Sequence, residues 1–163
     1  MRVTINVVLP RDRTHLGTFT MVSDASEVLL GPVPCLGKSD NAAAIAAGNP
    51  TRDMLLKDGD HPLGLSRAVI VDAAPEAEWH AFGPNKRFLL GGISGPAAAA
   101  KRSGIMIHGG PLNPAYIQWL GMRPTLGCLR LRDEDIASAI KVCEGAEQIL
   151  ENVIEQDEIS MAS

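Results

Sequence analysis

Two residues in this chain have side chains suited to covalent chemistry and neighbours that would expose them. His108 ends the run Gly104-Ile105-Met106-Ile107-His108 and is followed by Gly109 and Gly110. Twenty residues later Cys128 follows Gly127 and precedes Leu129-Arg130-Leu131. If both runs are strands, period-two alternation puts Ile105 and Ile107 on one face and Met106 and His108 on the other. The same rule buries Leu129 and Leu131 and turns Cys128 and Arg130 to the opposite side together. A cysteine attacks as its thiolate, and a nearby imidazole takes the proton. The N–H groups of Gly127 and Cys128 would then serve as oxyanion donors, because glycine lets a ligand approach the backbone closely. Arg130 would hold a substrate carboxylate in its fork.

Taken singly, each of these residues has an ordinary structural role. His-Gly-Gly reads as a turn, an isolated cysteine as a small buried hydrophobe, and an arginine as half of a surface ion pair. Their combination with Thr125 on one predicted face favours catalysis.

The pairing of Ile107-His108-Gly109-Gly110 with Thr125-Leu126-Gly127-Cys128-Leu129-Arg130 resembles the L,D-transpeptidase catalytic domain of bacterial peptidoglycan enzymes. That family's signature is His-Gly, a spacer, then Ser/Thr-His-Gly-Cys-x-Arg/Asn. Leu126 stands where the family usually has a histidine. Weaker segments of the same domain are Gly48 to Asp53, His61-Pro62-Leu63-Gly64 and Gly83 to Arg87. The resemblance implies a mainly β body, a sandwich or curved sheet with peripheral helices. It implies Cys128 as nucleophile, His108 as base and the Gly109 carbonyl as the partner that orients the imidazole. Arg130, Thr125, Tyr116 and Trp119 become candidate substrate-binding residues. The implied substrate is a peptidoglycan stem tetrapeptide, cut at its L,D bond through a cysteine acyl-enzyme that passes to an amine or to water. No cofactor and no metal are implied, and a carbapenem would be a covalent inhibitor.

The chain has 163 residues, 45% hydrophobic and 21% charged, which suits one domain over 1–163 with a single core. Apolar runs are too short to span a bilayer. Residues 133–163 hold nine acids and one lysine, leaving a mildly basic body. Basic residues do not cluster with aromatics between them, so no nucleic-acid partner is expected. The sequence leaves oligomeric state open. Three cysteines, Cys35, Cys128 and Cys143, are an odd count without metal-site spacing, and one structural pair would leave one free thiol. The four histidines likewise show no metal-ligand spacing, and Gly91-Gly92-Ile93-Ser94-Gly95 lacks the Lys-Ser/Thr of a phosphate loop.

The elements that must position the pair follow from pattern. Val3 to Leu9 alternates as a strand, and Leu16 to Val22 with Glu27 to Val33 forms a hairpin across Ser23-Asp24-Ala25-Ser26. A short helix from Asp40 to Ala47 is capped by Asp40 or Asn41 and stopped by Gly48. Arg67 to Val71 and Arg87 to Leu90 read as strands, Ala97 to Arg102 as a helical turn. Asn113, Pro114 and Gly121 bound a helix in which Tyr116 and Trp119 share a face, either as packing or as a substrate platform. A long C-terminal helix is expected over about 133–156, on the stripe Ile136, Ile140, Cys143, Leu150 and Ile154, with residues from Asp157 frayed.

Two classes of function remain, a cysteine acyltransferase and a non-catalytic wall-binding or interaction module that kept the fold. A peptidoglycan substrate places the action in the periplasm or cell envelope. Met1 to Pro10 is too short and too alternating for an export signal, so the chain is expected to be a trimmed piece or to leave without a cleaved leader, for example as an effector.

Overall fold

The computed structural model describes residues 1–157, and the C-terminal residues 158–163, on which most of the expected fraying falls, lie outside them. The chain folds around one eight-stranded sheet. Its strands are β1 (Arg2–Pro10), β2 (Gly17–Ser23), β3 (Val28–Cys35), β4 (Gly64–Val71), β5 (Arg87–Ser94), β6 (Met106–His108), β7 (Leu129–Arg130) and β8 (Gln148–Gln156). Their order is β3-β2-β1-β8-β4-β5-β6-β7. The short helices are α1 (Asn41–Ala46), α2 (Trp79–Phe82) and α3 (Pro96–Ala99), and the longer α4 is Asp133–Cys143. The mainly β expectation holds.

Alternation built the first strands as expected. Val3, Ile5, Val7 and Leu9 are fully buried, opposite Phe19 and Met21 of β2. Ser23 closes the β2–β3 turn: its hydroxyl oxygen accepts from the N–H groups of Ala25 and Glu27 at 3.2 Å each. Asp40 caps α1 by accepting from the Ala43 N–H at 2.9 Å. β5 runs on through Gly91 and Gly92 to Ser94 instead of stopping at Leu90, because β4 continues opposite and pairs Arg67 with Gly91 and Ser66 with Gly92.

The C-terminal helix is corrected. α4 ends at Cys143, Gly145 takes φ +79, and the chain then enters β8 at the centre of the sheet, parallel to β1 and antiparallel to β4. Ile149, Glu151 and Val153 are the buried positions of β8, a period of two. α4 itself buries Ile136, Ala139, Ile140 and Cys143. Each isoleucine contributes roughly 1.5–3 kcal/mol of burial.

β6 and β7 are parallel, so no tight turn can join them. The crossing segment carries a 3₁₀ turn, Pro114–Trp119, in place of the expected helix, with Asn113 accepting from the Ala115 N–H and Tyr116 outside helical dihedrals. The outer ends of the sheet also meet. Leu36, just past β3, exchanges both backbone hydrogen bonds with Arg130 at 3.0 Å, so β7 is held from both sides. Among the described residues no helix is long and apolar enough to cross a membrane.

Candidate active site

The β6–β7 ladder sets the site. Ile107 lies opposite Leu129 and His108 opposite Arg130, which brings Cys128 level with Met106, two residues before the histidine. The Met106 N–H donates to Cys128 Sγ at 3.3 Å, and Sγ lies 3.9 Å from the Gly104 carbonyl. Ile105, Ile107, Leu129 and Leu131 are buried beneath, as alternation requires. Cys128 and His108 both line one cavity of about 880 Å³. Cys35 and Cys143 are buried elsewhere, and burial pushes the Cys143 thiol up to about 12 and that of Cys35 still further up.

His108 Nδ1 lies 2.6 Å from the Gly109 carbonyl. A carbonyl only accepts, so Nδ1 carries the proton and Nε2 is left as the basic nitrogen. The ring is 2% exposed, with Phe82 packed edge-on at 4.8 Å. Desolvation, then the Arg130 charge, lower its pKa to about 3, against the opposing Gly109 hydrogen bond. The Cys128 pKa is raised, with desolvation outweighing the Met106 hydrogen bond and the charges of Arg130 and Arg102. The resting pair is therefore a neutral thiol and a neutral imidazole, and the thiol proton must move as the sulfur attacks.

The candidate substrate binders sort differently from expectation. Arg130 is 4% exposed, and its donors go to backbone: Nη1 to the carbonyls of Gly109 at 2.6 Å and Ala81 at 3.1 Å, Nε to that of Arg123 at 2.7 Å. It props the loop that orients His108 through Nε and Nη1, while Nη2 donates to no protein acceptor among the described residues and Arg130 still lines the cavity. Thr125 is spent inside its own loop, donating to the Cys128 carbonyl at 2.7 Å and accepting from the Gly127 N–H at 3.0 Å. The Gly127 N–H is thereby occupied, and of the two expected oxyanion donors the Cys128 N–H remains. Tyr116 and Trp119 stack at 5.8 Å and pack with Leu36 and Met122, away from the cavity lining. The Trp119 Nε1–H donates to the Thr14 carbonyl at 2.6 Å. Leu126, in contrast, lines the cavity and is 59% exposed.

Arg102 went unread in the sequence. Its Nη1 donates to the carbonyls of Met54 and Asp60, and its Nη2 to those of Gly59 and Leu126, so one guanidinium ties the Met54–Asp60 loop to the cysteine loop. Gly127, at φ +118, is needed here because a Cβ would collide with that guanidinium and the Gly59 carbonyl. No sequence signal marks such a clamp, since its acceptors are all main chain. Lys57, Lys101, Arg102, Arg123 and Arg130 line the cavity against Asp40 and Asp58, and the cavity is cationic.

No family model matches the sequence, and no curated protein matches it. Among solved structures, the K307A mutant of the helical cell shape determining protein Pgp2 from Campylobacter jejuni superposes with a TM-score of 0.54 at 14% identity, over 97% of this chain and 49% of that one. Bd1075 from Bdellovibrio bacteriovorus superposes with a TM-score of 0.54 at 10% identity, over 96% of this chain and 50% of that one. The chain thus spans about half the length of these two proteins and shares the fold of the part it covers.

Proposed function

We propose that this chain is a peptidoglycan-acting cysteine acyltransferase that cleaves the L,D bond of a stem tetrapeptide. The observation that carries the reading is Cys128 at the wall of a cationic cavity it shares with His108, whose Nδ1 is fixed by the Gly109 carbonyl. The fold shared with a cell shape determining protein supports a wall substrate, and the cationic lining suits a peptide rich in carboxylates.

In this mechanism Sγ attacks the carbonyl carbon of the third residue as His108 Nε2 takes the thiol proton. The Cys128 N–H stabilises the oxyanion. Collapse breaks the C–N bond, and the imidazolium returns its proton to the departing D-alanine amine. The thioester is resolved by an amine or by water, which gives its proton to His108; the leaving thiolate recovers one. Products are a 3→3 cross-link, an exchanged terminal D-amino acid, or a tripeptide.

Incubation with purified sacculi tests this. Muropeptides altered at the fourth residue by the wild type, and untouched by Cys128→Ala, are expected. Unaltered muropeptides from protein whose thiol still reacts with iodoacetamide overturn the acyltransferase reading in favour of a wall-binding module.

A further inference from the structure

A second histidine lies behind the cysteine loop, outside the mechanism above. His61 is fully buried, and so, at 1% exposure, is Glu151 in the central strand β8. His61 Nδ1 lies 2.9 Å from the Gly127 carbonyl, and Nε2 lies 2.8 Å from Glu151 Oε2. The Gly127 carbonyl can only accept, so Nδ1 carries a proton. One further proton is shared between Nε2 and the carboxyl group, whichever of the two holds it. The backbone of His61 is clamped as well. Its N–H donates to the Gly37 carbonyl at 2.9 Å, and its carbonyl accepts from Arg13 Nη1 at 2.9 Å. Both ring nitrogens and both backbone polar groups of His61 are thus engaged.

We infer that His61 and Glu151 are positioning residues that aim the oxyanion donor. The Gly127–Cys128 peptide is trans, so its carbonyl and its N–H point in opposite directions. Drawing the Gly127 carbonyl inward onto His61 turns the Cys128 N–H the other way, towards the cavity that Cys128 lines. Gly127 needs this external hold, because at φ +118 and without a side chain its own dihedrals do not fix the peptide plane. Among the described residues, the Cys128 N–H donates to no protein acceptor, which leaves it for a reacting carbonyl. Thr125 holds the other side of the loop through the Gly127 N–H. Glu151, in turn, fixes the ring, much as an acidic partner fixes a catalytic imidazole. The role is one step removed from chemistry: neither side chain touches substrate. It also accounts for a carboxylate at an inward position of a central strand, where an unpartnered charge would be costly.

The inference rests on cysteine acyl transfer, but its test does not need a peptidoglycan substrate. p-Nitrophenyl acetate acylates a thiol through a tetrahedral oxyanion, whereas iodoacetamide alkylates it by direct displacement with no oxyanion. In His61→Ala, acylation of Cys128 is expected to fall roughly ten- to a hundredfold, short of the loss when a donor is removed outright, while alkylation stays within twofold. His61→Asn, whose amide offers an N–H near the place of Nδ1, should recover most of the rate. Glu151→Gln should show a smaller loss with the same selectivity. Unchanged acylation, or acylation and alkylation falling together, overturns the proposal. Should the variants fail to fold, a scalar coupling across the hydrogen bond from His61 Nδ1 to the Gly127 carbonyl carbon reads the contact in the wild type, and its absence overturns the proposal. His61-dependent acylation in a protein that leaves sacculi unaltered refutes the peptidoglycan reading alone.

Discussion

His108 and Arg130, level with each other across the β6–β7 ladder, converge on one oxygen: the Gly109 carbonyl accepts from His108 Nδ1 at 2.6 Å and from Arg130 Nη1 at 2.6 Å. The imidazole is thus oriented by a carbonyl that is itself held in place by a buried cation. Desolvation and the Arg123 charge bring that guanidinium down to about 10, still charged at neutral pH. A Cβ at Gly110 would collide with Arg130 Nη1, and one at Gly109 with the Asp133 carboxylate. The His-Gly-Gly run is built around these two side chains.

Arg130→Lys is therefore expected to fail as a conservative change. A lysine ammonium cannot reach the Gly109, Ala81 and Arg123 carbonyls in the geometry of a planar fork. The predicted loss is about 10²-fold in kcat, with KM changed little, as expected of an arginine that acts through the proposed base rather than on substrate. Steady-state release of D-alanine from a tetrapeptide checks it, and a rise in KM at constant kcat would return Arg130 to carboxylate binding.

The pH response follows from two neutral partners. Cys128 titrates above the ordinary thiol range, so its alkylation by iodoacetamide should keep rising beyond pH 9, without the acidic plateau of a preformed thiolate–imidazolium pair. Peptide mapping should find the label on Cys128 and leave buried Cys35 and Cys143 unmodified. For stability the sign is the reverse of a salt-bridged histidine. His108 is neutral in the fold down to about pH 3, while the unfolded chain binds a proton near 6.5, so its contribution is flat above 6.5 and stability falls as pH drops from 6.5 towards 3. Urea unfolding midpoints between pH 8 and 4 in wild type and His108→Gln separate this term, and the glutamine variant should lose less on acidification.

Much of this was legible because alternation is a local signal. Val3 to Leu9, the Ser23 turn and the two faces of the His108 and Cys128 strands could be read from side chains two apart. The C-terminal strand could not. Leu150 and Ile154 continue the spacing of Ile136, Ile140 and Cys143, and the competing alternation of Ile149, Glu151 and Val153 is hidden by a glutamate at its centre. That glutamate is acceptable inside only because His61, ninety residues away, meets it. Tyr116 and Trp119 do share a face, but the face turns to Leu36 and Met122, which no spacing within the segment reveals. The partners of Arg130 and Arg102 are carbonyls, and main-chain acceptors leave no mark in a sequence.

Arg102 yields a further prediction. It joins the Met54–Asp60 loop to the Leu126 carbonyl, and its charge favours the Cys128 thiolate. Arg102→Met keeps the stem and removes every donor. The loss of hydrogen bonds from a charged group to carbonyls costs about 1.5–3 kcal/mol, read as a lower denaturation midpoint. Loosening of the loop should also raise KM for a tetrapeptide several-fold; an unchanged midpoint and KM would show the clamp to be dispensable.

In the proposed mechanism, Leu126 is the rim residue expected to steer the fate of the acyl-enzyme. It is 59% exposed, lines the cavity two residues before the nucleophile, and offers only apolar contact. Acylation is expected not to need it, since the proposed base, nucleophile and oxyanion donor belong to other groups. An amine acceptor, however, must be placed and deprotonated within about 3 Å of the thioester carbon, and leucine can neither accept from it nor orient it. Water and a free D-amino acid also have to give up a proton, but they are small enough to enter the open cavity without a side chain that holds a second stem. The wild type is therefore expected to give tripeptide or exchanged D-amino acid in preference to 3→3 dimers. Because the side chain projects into open cavity, Leu126→His can be accommodated without repacking, and it should raise the cross-linked share at an unchanged acylation rate. The ratio of dimer to tripeptide from a single tetrapeptide substrate measures this. Abundant dimers from the wild type, unaltered in Leu126→His, would place the acceptor elsewhere in the cavity and reduce Leu126 to a wall residue.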